Sequence, residues 1–137
     1  MERWGKYLGT SDAAASRDVD LRVATGNLFA LLPYRVDRLD LAAPARASLD
    51  QPVDVNATVV ASGGPFVRHV IVFQLQRPDG RELPEHRWIV ETENGIASSR
   101  LYLALNDPTG KWTLTARDVA TGIRHSQTIE IRQAAAK

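Results

Sequence analysis

The sequence contains no cysteine, no long hydrophobic run and no block of like charge. Without cysteine the chain has no disulfides, no thiolate ligands for metals and no thiol nucleophile. No apolar stretch approaches the roughly 18 residues that cross a bilayer, so we expect no membrane insertion. Its 17 basic and 16 acidic residues are interspersed, which argues against a nucleic-acid partner.

Sequence motifs of catalysis and of ligand binding are also missing. No serine lies in a nucleophile-elbow motif, no glycine-rich loop precedes a helix, and no Asp-rich loop indicates calcium. The three histidines, His69, His86 and His125, share no ligand spacing. The sequence therefore predicts no cofactor, no metal and no enzymatic activity.

The sequence does contain a series of segments in which apolar and polar residues alternate with a period of two. Such alternation is typical of half-buried strands, and turn signals separate the segments about every twelve residues. The predicted strands are 36–41, 53–61, 67–76, 87–92, 97–105, 111–119 and 124–132. Because no long amphipathic helix fits anywhere, we expect an all-β, antiparallel, two-sheet sandwich of about seven strands.

The pattern divides the chain into three parts. Residues 1–35 form an N-terminal extension with a possible β-hairpin over 19–35 and one possible helical turn capped by Ser11. Residues 36–132 form the sandwich, and residues 133–137 are a tail. The first residues contain no apolar run typical of a signal peptide, and we expect both ends to be cuts through a longer polypeptide.

The stretch "DPTGKWTLTARDVATG", residues 107–122, is the most patterned of the sequence. Together with "LDQPVDVNATV" and "VFQLQRPDGREL" it resembles bacterial immunoglobulin-like and macroglobulin-type β-sandwich modules. The resemblance covers roughly residues 36–132 and includes no Cys–Trp–Cys core and no thioester element. It implies a non-catalytic spacer or docking module of a larger, exported bacterial protein, extracellular or periplasmic. Its partners would be neighbouring domains of the parent chain or another protein.

Aromatic side chains are the best candidates for a binding surface, because they stack on sugar rings and fill partner pockets. Trp112 is in phase with Leu114 and Ala116, so we expect it in the core. A possible binding surface consists of Trp4, Tyr7, Trp88 and Tyr102, although a core position is favoured for Trp88 as well. The alternative function is accordingly a carbohydrate-binding module, with a polysaccharide as its partner.

A third hypothesis is an enzyme whose site is assembled from His69, Arg117 and Asp118. Contact between at least two of them in a pocket would favour it. Against it, His69 is in phase with Ile71 and Phe73, which favours a partly buried, hydrogen-bonded structural histidine.

Overall fold

The structure is a computed structural model that describes residues 4–6, 8, 18, 26–63 and 66–135. Within these ranges the chain forms no helix, and hence none that is long and apolar enough to span a membrane. It forms eight strands: β1 (Val36–Ala42), β2 (Arg46–Ser48), β3 (Val53–Ala61), β4 (Val70–Gln76), β5 (Glu82–Glu91), β6 (Ile96–Leu101), β7 (Gly110–Asp118) and β8 (Arg124–Arg132). These strands make a three-stranded sheet, β1-β3-β6, and a five-stranded sheet, β2-β8-β7-β4-β5. The prediction of an all-β, two-sheet sandwich is confirmed at this level.

One hydrophobic core lies between the two sheets, because alternate side chains of each strand point inward. Trp112, Phe73 and Leu114 are completely buried in it. The small sheet also contributes Val53, Val55, Ala57 and Val59, and the large sheet Ile71, Leu75, Ala116, Ile129 and Ile131. Full burial of a large apolar side chain contributes about 1.5–3 kcal/mol, so this cluster is the main stabilising element. The prediction that Trp112 belongs to the core is confirmed.

Three strands of the large sheet differ from the sequence prediction, and one of them, β4, begins at Val70 rather than at residue 67. The three-residue strand β2 was not predicted, and it pairs in parallel with β8, so the sandwich is not entirely antiparallel. Strand β5 begins at Glu82 rather than at residue 87 and runs through Pro84. Proline is tolerated there because β5 lies at the edge of its sheet.

Two further differences concern segments that lack regular structure. Strand β6 ends at Leu101, and residues 102–109 form a turn in which the carboxylate of Asp107 accepts the Ala104 N–H at 2.9 Å. Residues 26–35, the second half of the predicted hairpin, contain no strand. Most of its first half, together with the predicted helical turn, lies outside the described residues.

Candidate functional site

The most connected polar group of the described chain is a buried pair formed by His69 and Asp118. His69 immediately precedes β4, and Asp118 is the last residue of β7, paired in register with Ile71. His69 Nδ1 lies 3.0 Å from Asp118 Oδ1, and both side chains are 0 % exposed. The pair thus links two central strands of the large sheet at one end of the core.

Tyr34 extends this pair toward the segment that precedes β1. Its hydroxyl oxygen accepts the Val67 N–H at 3.0 Å and lies 2.9 Å from His69 Nε2. Because that oxygen already accepts a hydrogen bond, its own O–H can donate to Nε2, which leaves the Nδ1–H to donate to Asp118. The hydrogen bonds therefore assign one tautomer to a neutral His69.

The second carboxylate oxygen of Asp118 caps the turn that follows β7. Asp118 Oδ2 accepts the Thr121 hydroxyl at 2.6 Å and the Thr121 N–H at 3.1 Å. Burial acts to raise the pKa of Asp118, but the hydrogen bonds from His69 and Thr121 outweigh it and hold that pKa below its ordinary value. Asp118 is therefore a buried carboxylate whose ionised form is stabilised by donors from three directions.

Tyr34, His69 and Asp118 place a hydroxyl, an imidazole and a carboxylate in a row. A catalytic acid–base relay has the same arrangement. A relay acts on a substrate only if the hydroxyl can touch it, and Tyr34 is only 8 % exposed. A polar cleft of about 330 Å³ lies nearby, and the described residues lining it include Phe66, Arg68 and Thr92 but neither His69 nor Asp118. The arrangement stabilises the fold and offers no reacting atom to this cleft.

Of the three residues in the enzyme hypothesis, the structure brings together two. His69 and Asp118 are hydrogen-bonded, whereas Arg117 is on the opposite face of β7, beside Trp4. The expectation of a hydrogen-bonded His69 is confirmed, and its side chain is fully rather than partly buried. Sequence reasoning did not place Tyr34 beside His69, because the two residues are 35 positions apart and local patterns do not show which distant segments meet.

A second polar cluster surrounds the indole of Trp112 at the other end of the core. Arg77 and Asp107 form a largely buried ion pair at 2.9 Å, and Trp112 donates from Nε1 to the Pro108 carbonyl at 2.9 Å. His86 packs edge-on against Trp112, with its Nε2 3.8 Å from Asp107 Oδ2. No cluster of three or more His, Asp or Glu side chains that could hold a metal ion occurs within the described chain.

The aromatic residues proposed for a binding surface lie at separate places. Trp4 contacts the outer side of the large sheet, where the guanidinium of Arg117 lies 4.5 Å from its ring centroid. Trp88 points inward and stacks on Phe73 at 5.3 Å, as the core alternative predicted. Tyr102 follows the small sheet and is 70 % exposed, and Tyr7 lies outside the described residues.

Comparison with known proteins identifies no family. No protein-family model and no curated protein matches the chain. Among solved structures, a superoxide reductase (neelaredoxin) from Ignicoccus hospitalis is similar, with 15% identity and a TM-score of 0.49 over 71% of this chain and 82% of that one. This similarity is too low to support any inference about activity.

The segment that leads into β1 exposes large apolar side chains. Leu28 is 98 % exposed, Leu31 is 89 % exposed and Phe29 is 52 % exposed. Three residues further on, the same segment enters the core through Tyr34. Because Tyr34 is anchored in the core, the exposed apolar side chains of residues 28–31 are held close to the sandwich.

Proposed function

We propose that this chain is a non-catalytic interaction module, an immunoglobulin-like sandwich that acts as a spacer or docking domain in a larger, exported bacterial protein. The sheets of three and five strands around one core support this class of fold. The function rests on one observation. The histidines and carboxylates of the two polar clusters are buried, whereas the apolar side chains of residues 28–31 are exposed.

The histidines and carboxylates of the two polar clusters are withdrawn from solvent, whereas His125 on β8 is exposed. His69 and Asp118 are fully buried, and His86 is 7 % exposed. A catalytic site needs such groups at an accessible surface. Their burial favours a structural role, which is clearest for His69 and Asp118, since these two are hydrogen-bonded to each other.

The apolar side chains of residues 28–31 are, in contrast, placed where a partner can cover them. Leaving Leu28 and Leu31 in water forgoes about 1.5–3 kcal/mol for each side chain. Contiguous exposed apolar surface of this kind marks protein interaction sites. We propose that a neighbouring domain or another protein packs on residues 28–31.

The alternative of a carbohydrate-binding module with an aromatic platform has less support. Such a platform needs two rings that are coplanar on one face. Trp88 stacks on Phe73 in the interior, and Tyr102 follows the other sheet. Trp88 and Tyr102 thus offer no common platform.

Site-specific photo-crosslinking in the producing cell tests the docking proposal. A photoreactive residue at position 31 should crosslink to one defined surface, of the parent chain or of a partner, that mass spectrometry maps reproducibly. The matched control is the same residue at position 98, which is exposed on the small sheet. Absence of crosslinks from position 31, or the same products from both positions, would contradict the proposal.

A further inference from the structure

The outer face of the five-stranded sheet carries two arginines directly opposite each other. Arg117 of β7 pairs in register with Arg124 of β8, and both point away from the core. Like charges in this position destabilise a sheet. Within the described chain neither guanidinium forms an ion pair with a carboxylate, so the repulsion is not offset there.

Two carboxylates of the same face are already neutralised, and the exposed Glu85 is on β5, which β4 separates from β7. Glu91 of β5 forms an ion pair with Arg68 at 3.3 Å. Glu130 of β8 lies 3.4 Å from Arg46 and 3.2 Å from Arg132. The end of the face that holds Arg117 and Arg124 is therefore a local positive patch on a chain whose formal net charge is only +1.

Trp4 holds one of the two guanidinium groups in place. Arg117 lies over its ring at 4.5 Å, and Arg87 lies over the same ring at 5.9 Å. Stacking fixes the plane of a guanidinium while leaving the N–H groups at its edge free to donate. The contact thus orients Arg117 for an anion and lowers the entropy lost on binding.

Next to the arginines, the same two strands present a set of hydroxyl groups. Thr113 pairs with Thr128, and Thr115 pairs with Ser126, whose hydroxyls are 2.8 Å apart. Ser126 and Thr128 are exposed. Hydroxyls both donate and accept hydrogen bonds, as do the hydroxyls of a sugar.

We propose that this face binds an acidic polysaccharide. Arg117 and Arg124 bind the carboxylate of a uronic acid unit, and Thr113, Thr115, Ser126 and Thr128 bind the hydroxyls of neighbouring units. None of these residues belongs to the segment 28–31, so the inference does not depend on the docking proposal.

A nucleic acid fits the same observations less well. Its phosphates follow one another closely along each strand, and its binding proteins neutralise many of them. Here two arginines border an uncharged hydroxyl surface, and no second aromatic ring lies beside Trp4 among the described residues. This pattern suits a chain with widely spaced charges and many hydroxyls.

Isothermal titration calorimetry of the whole chain with oligogalacturonate tests the proposal. We expect saturable binding that weakens with added salt, and no binding of neutral cello-oligosaccharides. Arg117→Gln combined with Arg124→Gln should weaken binding about tenfold for each arginine removed, because each loses a charge-assisted hydrogen bond. Arg38→Gln combined with Arg100→Gln, the same charge change on the small sheet, should leave binding unaltered.

Three outcomes would overturn the proposal: no binding of oligogalacturonate, equal losses in both double variants, or equally tight binding of a single-stranded DNA of the same charge. Urea unfolding of each variant establishes that it is folded. If the Arg117 and Arg124 double variant does not fold, Arg124→Gln alone provides the readout, since Arg124 is an exposed side chain.

Discussion

His69 and Asp118 lie 3.0 Å apart, atom Nδ1 to atom Oδ1, in a part of the core that excludes solvent from both side chains. Through Tyr34, Val67 and Thr121 this pair connects the segment before β1, the start of β4 and the turn after β7. A hydrogen-bonded network of this kind fixes the packing of the elements that it joins, because each buried group would be costly without its partner.

Asp118→Ala should therefore be strongly destabilising. The change leaves His69 Nδ1 and the two donors of Thr121 without a buried acceptor, and each buried donor left unpaired costs about 1–3 kcal/mol. Urea unfolding measures the free energy of unfolding. Asp79→Ala, an exposed turn carboxylate, is the control and should cost far less; equal costs for the two variants would contradict a structural role for the pair.

Acid should weaken the fold through the same carboxylate. The folded-state pKa of Asp118 is lowered, so its contribution is fully present above the unfolded pKa of about 3.9 and is lost as the pH falls through the folded pKa. We expect the free energy of unfolding to decrease when the pH is lowered below about 4. Asp54 and Asp79, whose pKa values are also lowered, contribute in the same window.

Asp118→Asn isolates the contribution of Asp118 to this acid transition. The variant should be less stable at neutral pH, and its urea midpoint should depend less on pH below 4 than that of the wild type. Parallel pH profiles for the two proteins would show that the carboxylate of Asp118 is not responsible.

Gly122→Ala tests the contact between the N-terminal segment and the turn after β7. Gly122 has a φ of +75°, and a Cβ there would collide with the Gly5 carbonyl, while Gly5 donates its N–H to the Val119 carbonyl at 2.8 Å. Left-handed backbone alone costs a residue with a Cβ about 1–2 kcal/mol. Gly80→Ala, with a φ of +83° and open space around its Cβ, measures that cost by itself.

The difference between these two glycine variants is the informative quantity. Gly122→Ala should lower the free energy of unfolding more than Gly80→Ala does, and amide exchange should show the Gly5 N–H losing protection. Equal losses, with Gly5 still protected, would mean that the segment does not rest on this turn.

Leu28→Ser combined with Leu31→Ser should leave the isolated chain as stable as the wild type, within about 0.5 kcal/mol, because both side chains are in water. Leu114→Ala, at a fully buried position, should cost about 2–5 kcal/mol. Thermal unfolding compares the three proteins. A large loss in the Leu28 and Leu31 variant would show that these side chains stabilise the sandwich itself and would argue against a docking role.

The sequence by itself determined the strands whose one face is apolar. The alternation in residues 53–61 and around Trp112 predicts β3 and β7 closely, because burial of one sheet face selects every second residue. The left-handed conformation of Gly110, with a φ of +128°, also follows from the turn signal before Trp112. The short strand β2 and the start of the edge strand β5 were not predicted. A few residues that are not fully buried show no regular alternation of apolar and polar side chains.

Tertiary structure alone decided which distant residues meet. The Tyr34–His69–Asp118 network joins positions 35 and 49 residues apart, and the arginine pair of the outer face arises from the register of β7 against β8. Local alternation specifies which face a side chain occupies, but not which strand lies beside it. That choice depends on the joint packing of both sheets around one core, since burial is favourable only when all of the strands are in place.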